Sequence, residues 1–201
     1  MALKPAIPIY ENYGAYKPSV NARKIVEKLL VAIDPEYLQG LGSIGLSSQI
    51  PLSRNKRRRK FLSRGHKYGM SDIQGYYRQP WNGQPAFIEL YVDKIFAGMP
   101  GFVARLPMVG FLRIGKVLLH ELGHHIHRTK HPESEEREDV ADEWSRKLLK
   151  IAARKRYRYA VPFLRLVIKV VNPPLQRLVV WANRRHREKQ LKRIQPNRPG
   201  D

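Results

Sequence analysis

The sequence predicts an α+β domain: a small sheet with a β-hairpin, packed on a helix bearing His-Glu-x-x-His and on a following helix that brings further ligating side chains. Three patterns predict it. "NARKIVEKLLVAI" places Ile25, Val26, Leu29, Leu30 and Ile33 at helical spacing. "YYRQPWNGQPAFIELYV" joins a Tyr-rich run to an alternating one through Asn82-Gly83, a dipeptide favoured in two-residue hairpin turns. "VLLHELGHHIHRTKHPESEEREDVADEWSRKLL", Val117 to Leu149, has apolar helical faces and holds five of the chain's 7 histidines.

A chain of 201 residues, 42% of them apolar, is enough for one ordinary core and short for two. The expected division is an irregular arm over 1–19, a core domain over 20–155, a helical extension over 156–185 and a basic, disordered tail over 186–201. The absence of cysteine excludes disulfides, thiolate metal sites and thiol nucleophiles, so any metal must be held by His, Asp or Glu.

The first residues lack the basic segment and unbroken apolar run of a secretory signal, and a cytoplasmic location is expected. Apolar segments at Ala97 to Ile114 and Tyr159 to Ala182 are interrupted by Arg105 and Arg113, and by Arg165, Lys169 and Arg177. Charges at bilayer depth cost a few kcal/mol each, so no spanning helix is expected.

The elements follow in order. The Pro-rich beginning reads as irregular. The first helix has Asn21 as its cap and Asp34-Pro35 as its stop. "GSIGLSS" is a short strand weakened by its glycines. "SRNKRRRKFLSRGHKYG" is self-repelling and reads as a solvated loop. In the second arm of the hairpin, Phe87, Glu89, Tyr91 and Asp93 face one way and Ile88, Leu90 and Val92 the other. A Gly/Pro-punctuated segment with Pro100 and Pro107 precedes the histidine helix. Val140, Ala141, Trp144, Leu148 and Ile151 then define the next helix, and another follows from Val161.

At helical pitch His120 and His124 lie one turn apart on one face, where their imidazoles can share a metal ion. Glu121 lies beside them as a proton acceptor for a water that the metal makes acidic. A third protein ligand is needed. His125 points away and reads as a helix-surface residue, and His127 lies roughly 10 Å along the axis from His120. Lys130 and His127 occupy the His and Gly positions of the longer H-E-x-x-H-x-x-G-x-x-H pattern, which excludes it. Glu138 and Asp142, four apart on the next helix, fit better: the first can ligate and the second can accept the free N–H of a ligating imidazole. Glu133, Glu135, Glu136 and Asp139 read as solvated charges near a helix start.

"HELGH" followed by "EDVAD" and "EWSRKLL" resembles the gluzincin group of zinc metallopeptidases, closest to its minimal ImmA/IrrE-like members. Trp144 and Ser145 stand where that group has Phe and Ala. The resemblance covers about Ala22 to Ile151 and implies a zincin-like fold with one zinc ion. His120, His124 and Glu138 become the ligands, Glu121 the general base, and Asp142 the partner of His120. It also implies a strand beside the site that binds extended peptide, matched by "AFIELYVD" with Phe87, Glu89 and Tyr91. The group's oxyanion-stabilising Tyr or His has no anchoring motif here, leaving Tyr157, Tyr159, His127 and His131 as candidates.

The expected function is hydrolysis of peptide bonds in a protein or peptide substrate. The alternative is a nucleic-acid-associated regulator, or a peripheral membrane protein, that retains the fold. Formal charge is +21, and eight of the 17 acids fall between Glu121 and Glu143, leaving the remainder still more basic. Basic segments 54–60 and 184–193 are the expected contacts for nucleic acid or an anionic membrane surface. The segment Tyr159 to Arg185 has the mixed composition of an interfacial helix.

Overall fold

A computed structural model describes residues 7–49, 60–63, 66–69, 73–135 and 137–157. Residues 54–59, Tyr159, the helix expected from Val161 and the basic segment 184–193 lie outside them. The chain divides into two units, Met1–Arg156 and Tyr157–Asp201, and Tyr157 is the described residue of the second.

The arm expected to be irregular contains a strand, β1 (Ile9–Asn12). It was illegible because only Ile9 is buried and prolines flank it; Pro8, unable to donate, still accepts a hydrogen bond from the Ile44 N–H at 3.0 Å. Arg23 ties this edge strand down, donating to the Ile9 carbonyl and to Glu11, both at 2.7 Å.

Helix α1 (Ala22–Ala32) begins as expected: the Asn21 side chain accepts the Lys24 N–H at 2.8 Å, satisfying a donor that the first turn leaves unpaired. Its Val26 and Leu29 are buried, and a short 3-10 turn, Pro35–Leu38, follows.

Strand β2 (Leu41–Ser47) is central despite its glycines. A Cβ on Gly45 would come within 2.8 Å of the Phe87 ring, so the missing side chain lets the neighbouring strand's aromatic lie across it. The basic loop gives way to two antiparallel strands, β3 (Lys60–Ser63) and β4 (His66–Gly69), which form a separate two-stranded sheet. Charge density suggested a loop, but Lys60–Ser63 and His66–Gly69 are just two residues apart, a hairpin spacing.

The second hairpin forms as expected from β5 (Gly75–Arg78) and β6 (Ala86–Tyr91), with Asn82 and Gly83 both at positive φ. Ile88 and Leu90 point inward and are fully buried. The main sheet runs β1-β2-β6-β5: β1, β2 and β6 are parallel, and β5 is an antiparallel edge.

Short helices α2 (Val92–Ile95) and α3 (Gly101–Ala104) lead into α4 (Pro107–Lys130), which starts ten residues before Val117. Pro107, expected to interrupt, sits in the first turn, where its missing N–H costs nothing. Helix α4 packs on β5, β6 and α1. Its Phe111, Ile114, Leu118, Leu119 and Leu122 are buried, each contributing roughly 1.5–3 kcal/mol. Helix α5 (Glu138–Tyr157) follows and buries Ala141, Leu148 and Ala152. No helix among the described residues is long and apolar enough to cross a membrane.

Candidate metal centre

Two small residues fix how α4 and α5 meet. A Cβ on Gly123, inside the H-E-x-x-H turn, would lie 2.7 Å from the Ala141 carbonyl oxygen, and Ala141 itself is fully buried. The backbones therefore touch at this level. Farther along, the Ser145 hydroxyl donates to the Lys116 carbonyl at 3.2 Å, so α4 and α5 are also joined by a polar contact. Ser145, a departure from the ImmA/IrrE-like pattern, thereby has a partner.

This crossing brings one atom each from His120, His124 and Glu138 within 4.8 Å of one another. The Nε2 atoms of the two histidines are 3.3 Å apart, and Glu138 Oε2 lies 3.2 Å from one and 3.6 Å from the other. Ligands bound tetrahedrally with bonds of about 2.0–2.1 Å are separated by roughly 3.3 Å, so the triangle matches three corners of such a site. The cluster could hold a metal ion. His124 is buried, and His120 and Glu138 are partly exposed, so one side of the cluster faces solvent.

Asp142 lies one turn beyond Glu138, with its Oδ1 2.9 Å from His120 Nδ1. A carboxylate can accept here, so His120 Nδ1–H donates and the Nε2 lone pair is left for the cluster. Asp139 is turned to solvent with Arg137, whose guanidinium holds its carboxyl below the usual range; Glu133 and Glu135 are exposed.

Glu121, the residue after His120, is buried against the edge strand. A Cβ on Gly75 would lie 3.0 Å from Glu121 Oε1 and 2.6 Å from a Val117 methyl. The strand can pass this close to the carboxylate because residue 75 has no side chain. The sequence signal for this contact is a glycine at a strand start, where it marks a close approach.

Several expectations need correction. Phe87, Glu89 and Tyr91 lie on β6, which is paired on both sides and has no free backbone edge for a peptide. Among the described residues, the edge strand next to Glu121 is β5. Glu89 is instead engaged within the sheet, accepting from Ser47 at 2.8 Å and from the Tyr91 hydroxyl at 3.3 Å. Tyr157 ends the same continuous helix that Glu138 begins, about 28 Å away at 1.5 Å per residue, too far to reach a carbonyl at the cluster. His127 is buried and bonds the Glu135 carbonyl at 3.1 Å, while His131 is exposed with its ring 5.7 Å from that of His127.

His125 was expected on the helix surface and is 2% exposed. It does point away from the cluster, but into packing rather than water: Nε2–H donates to the Gln39 carbonyl at 2.8 Å, and the ring meets Tyr77 edge-on. Burial lowers its pKa and favours the neutral ring. This turn of α4 has no solvent face because residues 121–127 are covered all round.

No family model, curated protein or solved structure matches the chain.

Proposed function

We propose that this protein is a zinc-dependent peptidase of the gluzincin type, akin to the ImmA/IrrE-like group, with a zincin-like fold over residues 20–155. The observation that carries the reading is the convergence of His120, His124 and Glu138 at tetrahedral spacing, with Glu121 next to His120 in the chain and buried against β5. Two imidazoles and a carboxylate form a donor set suited to zinc, and three protein ligands are the number that catalytic sites use. When bound, zinc would polarise a carbonyl and lower the pKa of adjacent water.

The chain's own residues supply the rest. Glu121 accepts a proton from the attacking water as it adds to the scissile carbonyl, then delivers that proton to the departing amine nitrogen. Asp142 fixes the tautomer and orientation of His120. An extended substrate pairs with the open edge of β5, where Gly75 brings the backbone close to Glu121.

The test joins metal analysis to a comparison of peptide products from a proteome exposed to wild type or Glu121→Gln. A purely structural metal site makes no use of Glu121 as a base. Zinc in both proteins with cleavage by wild type alone supports the reading; identical product profiles reject it.

A further inference from the structure

Of the apolar segment Ala97 to Ile114, part enters the core and part does not. Phe111 and Ile114 are buried, whereas Phe102 is 74% exposed, Leu106 52% and Leu112 37%. These three residues sit on α3, on the turn after it and on the second turn of α4. Arg105, Arg113 and Lys116 are interspersed with them and exposed. No Asp or Glu occurs between Asp93 and Glu121. Gly110 packs against Val20 and Ile25, which brings the start of α1 alongside, with Lys24 and Lys28 outnumbering Glu27.

We infer that this corner docks on an anionic lipid bilayer. Phe102, Leu106 and Leu112 enter the boundary between headgroups and acyl chains, and Arg105, Arg113 and Lys116 meet lipid phosphates. Exposed apolar side chains interspersed with exposed cations, on described helices none of which can span a membrane, suit a surface that offers negative charge and an apolar phase together. Nucleic acid offers the first without a place for Leu106 and Leu112. A second copy, at +21, is repelled by like charge.

The site that results differs from the interfacial helix expected at 159–185. Helix α4 links it to the metal cluster, because Leu112 and His120 lie about 12 Å apart along one axis. Docking here would hold the cluster a short distance from the bilayer surface. The inference does not depend on peptidase activity, and its test reads binding alone.

The full-length, metal-loaded protein is sedimented with vesicles of phosphatidylcholine alone, or of equal parts phosphatidylcholine and phosphatidylglycerol. Binding to the mixed vesicles and not to the neutral ones is expected. Phe102→Ser with Leu106→Ser should weaken it about tenfold or more, as should Arg105→Glu with Arg113→Glu, with metal content unchanged. Trp181→Ser, in the apolar segment 159–182, should bind as wild type. Because the chain has no cysteine, Phe102→Cys provides a unique site for an environment-sensitive fluorophore, whose emission should shift blue on the mixed vesicles. The inference is overturned if wild type fails to bind, or if Trp181→Ser loses binding while the Phe102/Leu106 variant keeps it. It is equally overturned if the fluorophore stays unshifted while duplex DNA displaces the vesicles.

Discussion

Gly123 meets Ala141 backbone to backbone, and a methyl at 123 would come 2.7 Å from the Ala141 carbonyl oxygen and 2.9 Å from its Cα. Neither atom can move without moving α5. Gly123→Ala should therefore push α5 from α4, costing about 1–3 kcal/mol and drawing Glu138 away from the histidines. Lower thermal stability together with loss of copurified zinc is the expected result. Ala141→Gly removes no spacing and should keep the metal, at a helix-propensity cost of about 1 kcal/mol. Full zinc occupancy in Gly123→Ala would show that the crossing tolerates a wider gap.

The three-residue triangle predicts a division among neighbouring residues. His120→Ala, His124→Ala and Glu138→Ala should each lose most bound zinc, whereas Glu135→Ala and His131→Ala, altered at exposed positions, should retain it. Asp142→Ala leaves the triangle complete but frees His120 Nδ1, so zinc affinity should fall roughly 10- to 100-fold. Competition against a chromogenic chelator measures all six, and stoichiometric zinc in Glu138→Ala would identify a different third ligand.

Chelation offers an independent check. A metal that binds the folded chain and not the unfolded one stabilises by about 2.7 kcal/mol at a free concentration one hundred times its Kd. Removal of zinc should lower the melting temperature of wild type, and its return should restore it. In His124→Ala neither step should move the transition; an equal response there would locate the effect elsewhere.

The cluster was legible because helical pitch alone puts His120 over His124 and Glu138 over Asp142, and the backbone contact at Gly123 then had two small residues to form around. The hairpin was legible for a similar reason: Asn82-Gly83 encodes both positive φ angles locally. Strand β1 was not, since a four-residue edge with one buried side chain has almost no alternation to detect. Sheet order was also hidden. Alternation in "AFIELYVD" identifies a strand with one buried face but says nothing about which edges are paired, so it does not reveal that β6 has neighbours on both sides. His125 was misplaced because an amphipathic helix was assumed to keep one wet face.

The Arg23–Glu11 bond that holds β1 has a pH signature. The hydrogen bond from Arg23 keeps the Glu11 carboxyl below its ordinary value of 4.5. With the folded value lowered, the stabilisation is complete above the ordinary value and is lost as pH falls through the lowered one. Arg23→Gln should thus be less stable than wild type by a small, constant amount at neutral pH, and the two should converge in acid. Urea midpoints from pH 7 down to 3 measure this; a gap that persists at the acid end would mean Arg23 acts through the Ile9 carbonyl instead.

Gly75 provides the sharpest test of the proposed chemistry, because its Cβ position touches two neighbours of different stiffness. Val117 offers a β-branched methyl 2.6 Å away, whereas Glu121 offers a carboxylate 3.0 Å away at the end of a flexible side chain. In Gly75→Ala the branched side chain resists and lowers stability, while the carboxylate turns aside. Zinc, held by His120, His124 and Glu138, should remain bound. Hydrolysis should fall about 10²-fold in kcat, the scale of a catalytic group misplaced by roughly an ångström, with little change in KM. Adding Val117→Ala separates the two effects: it removes the methyl contact and should recover part of the stability, yet leaves residue 75 against Glu121, so kcat should stay low. Melting curves and steady-state kinetics on the two variants decide the matter, and recovery of kcat along with stability would mean that Gly75 serves the packing of β5 on α4 and not the position of the base.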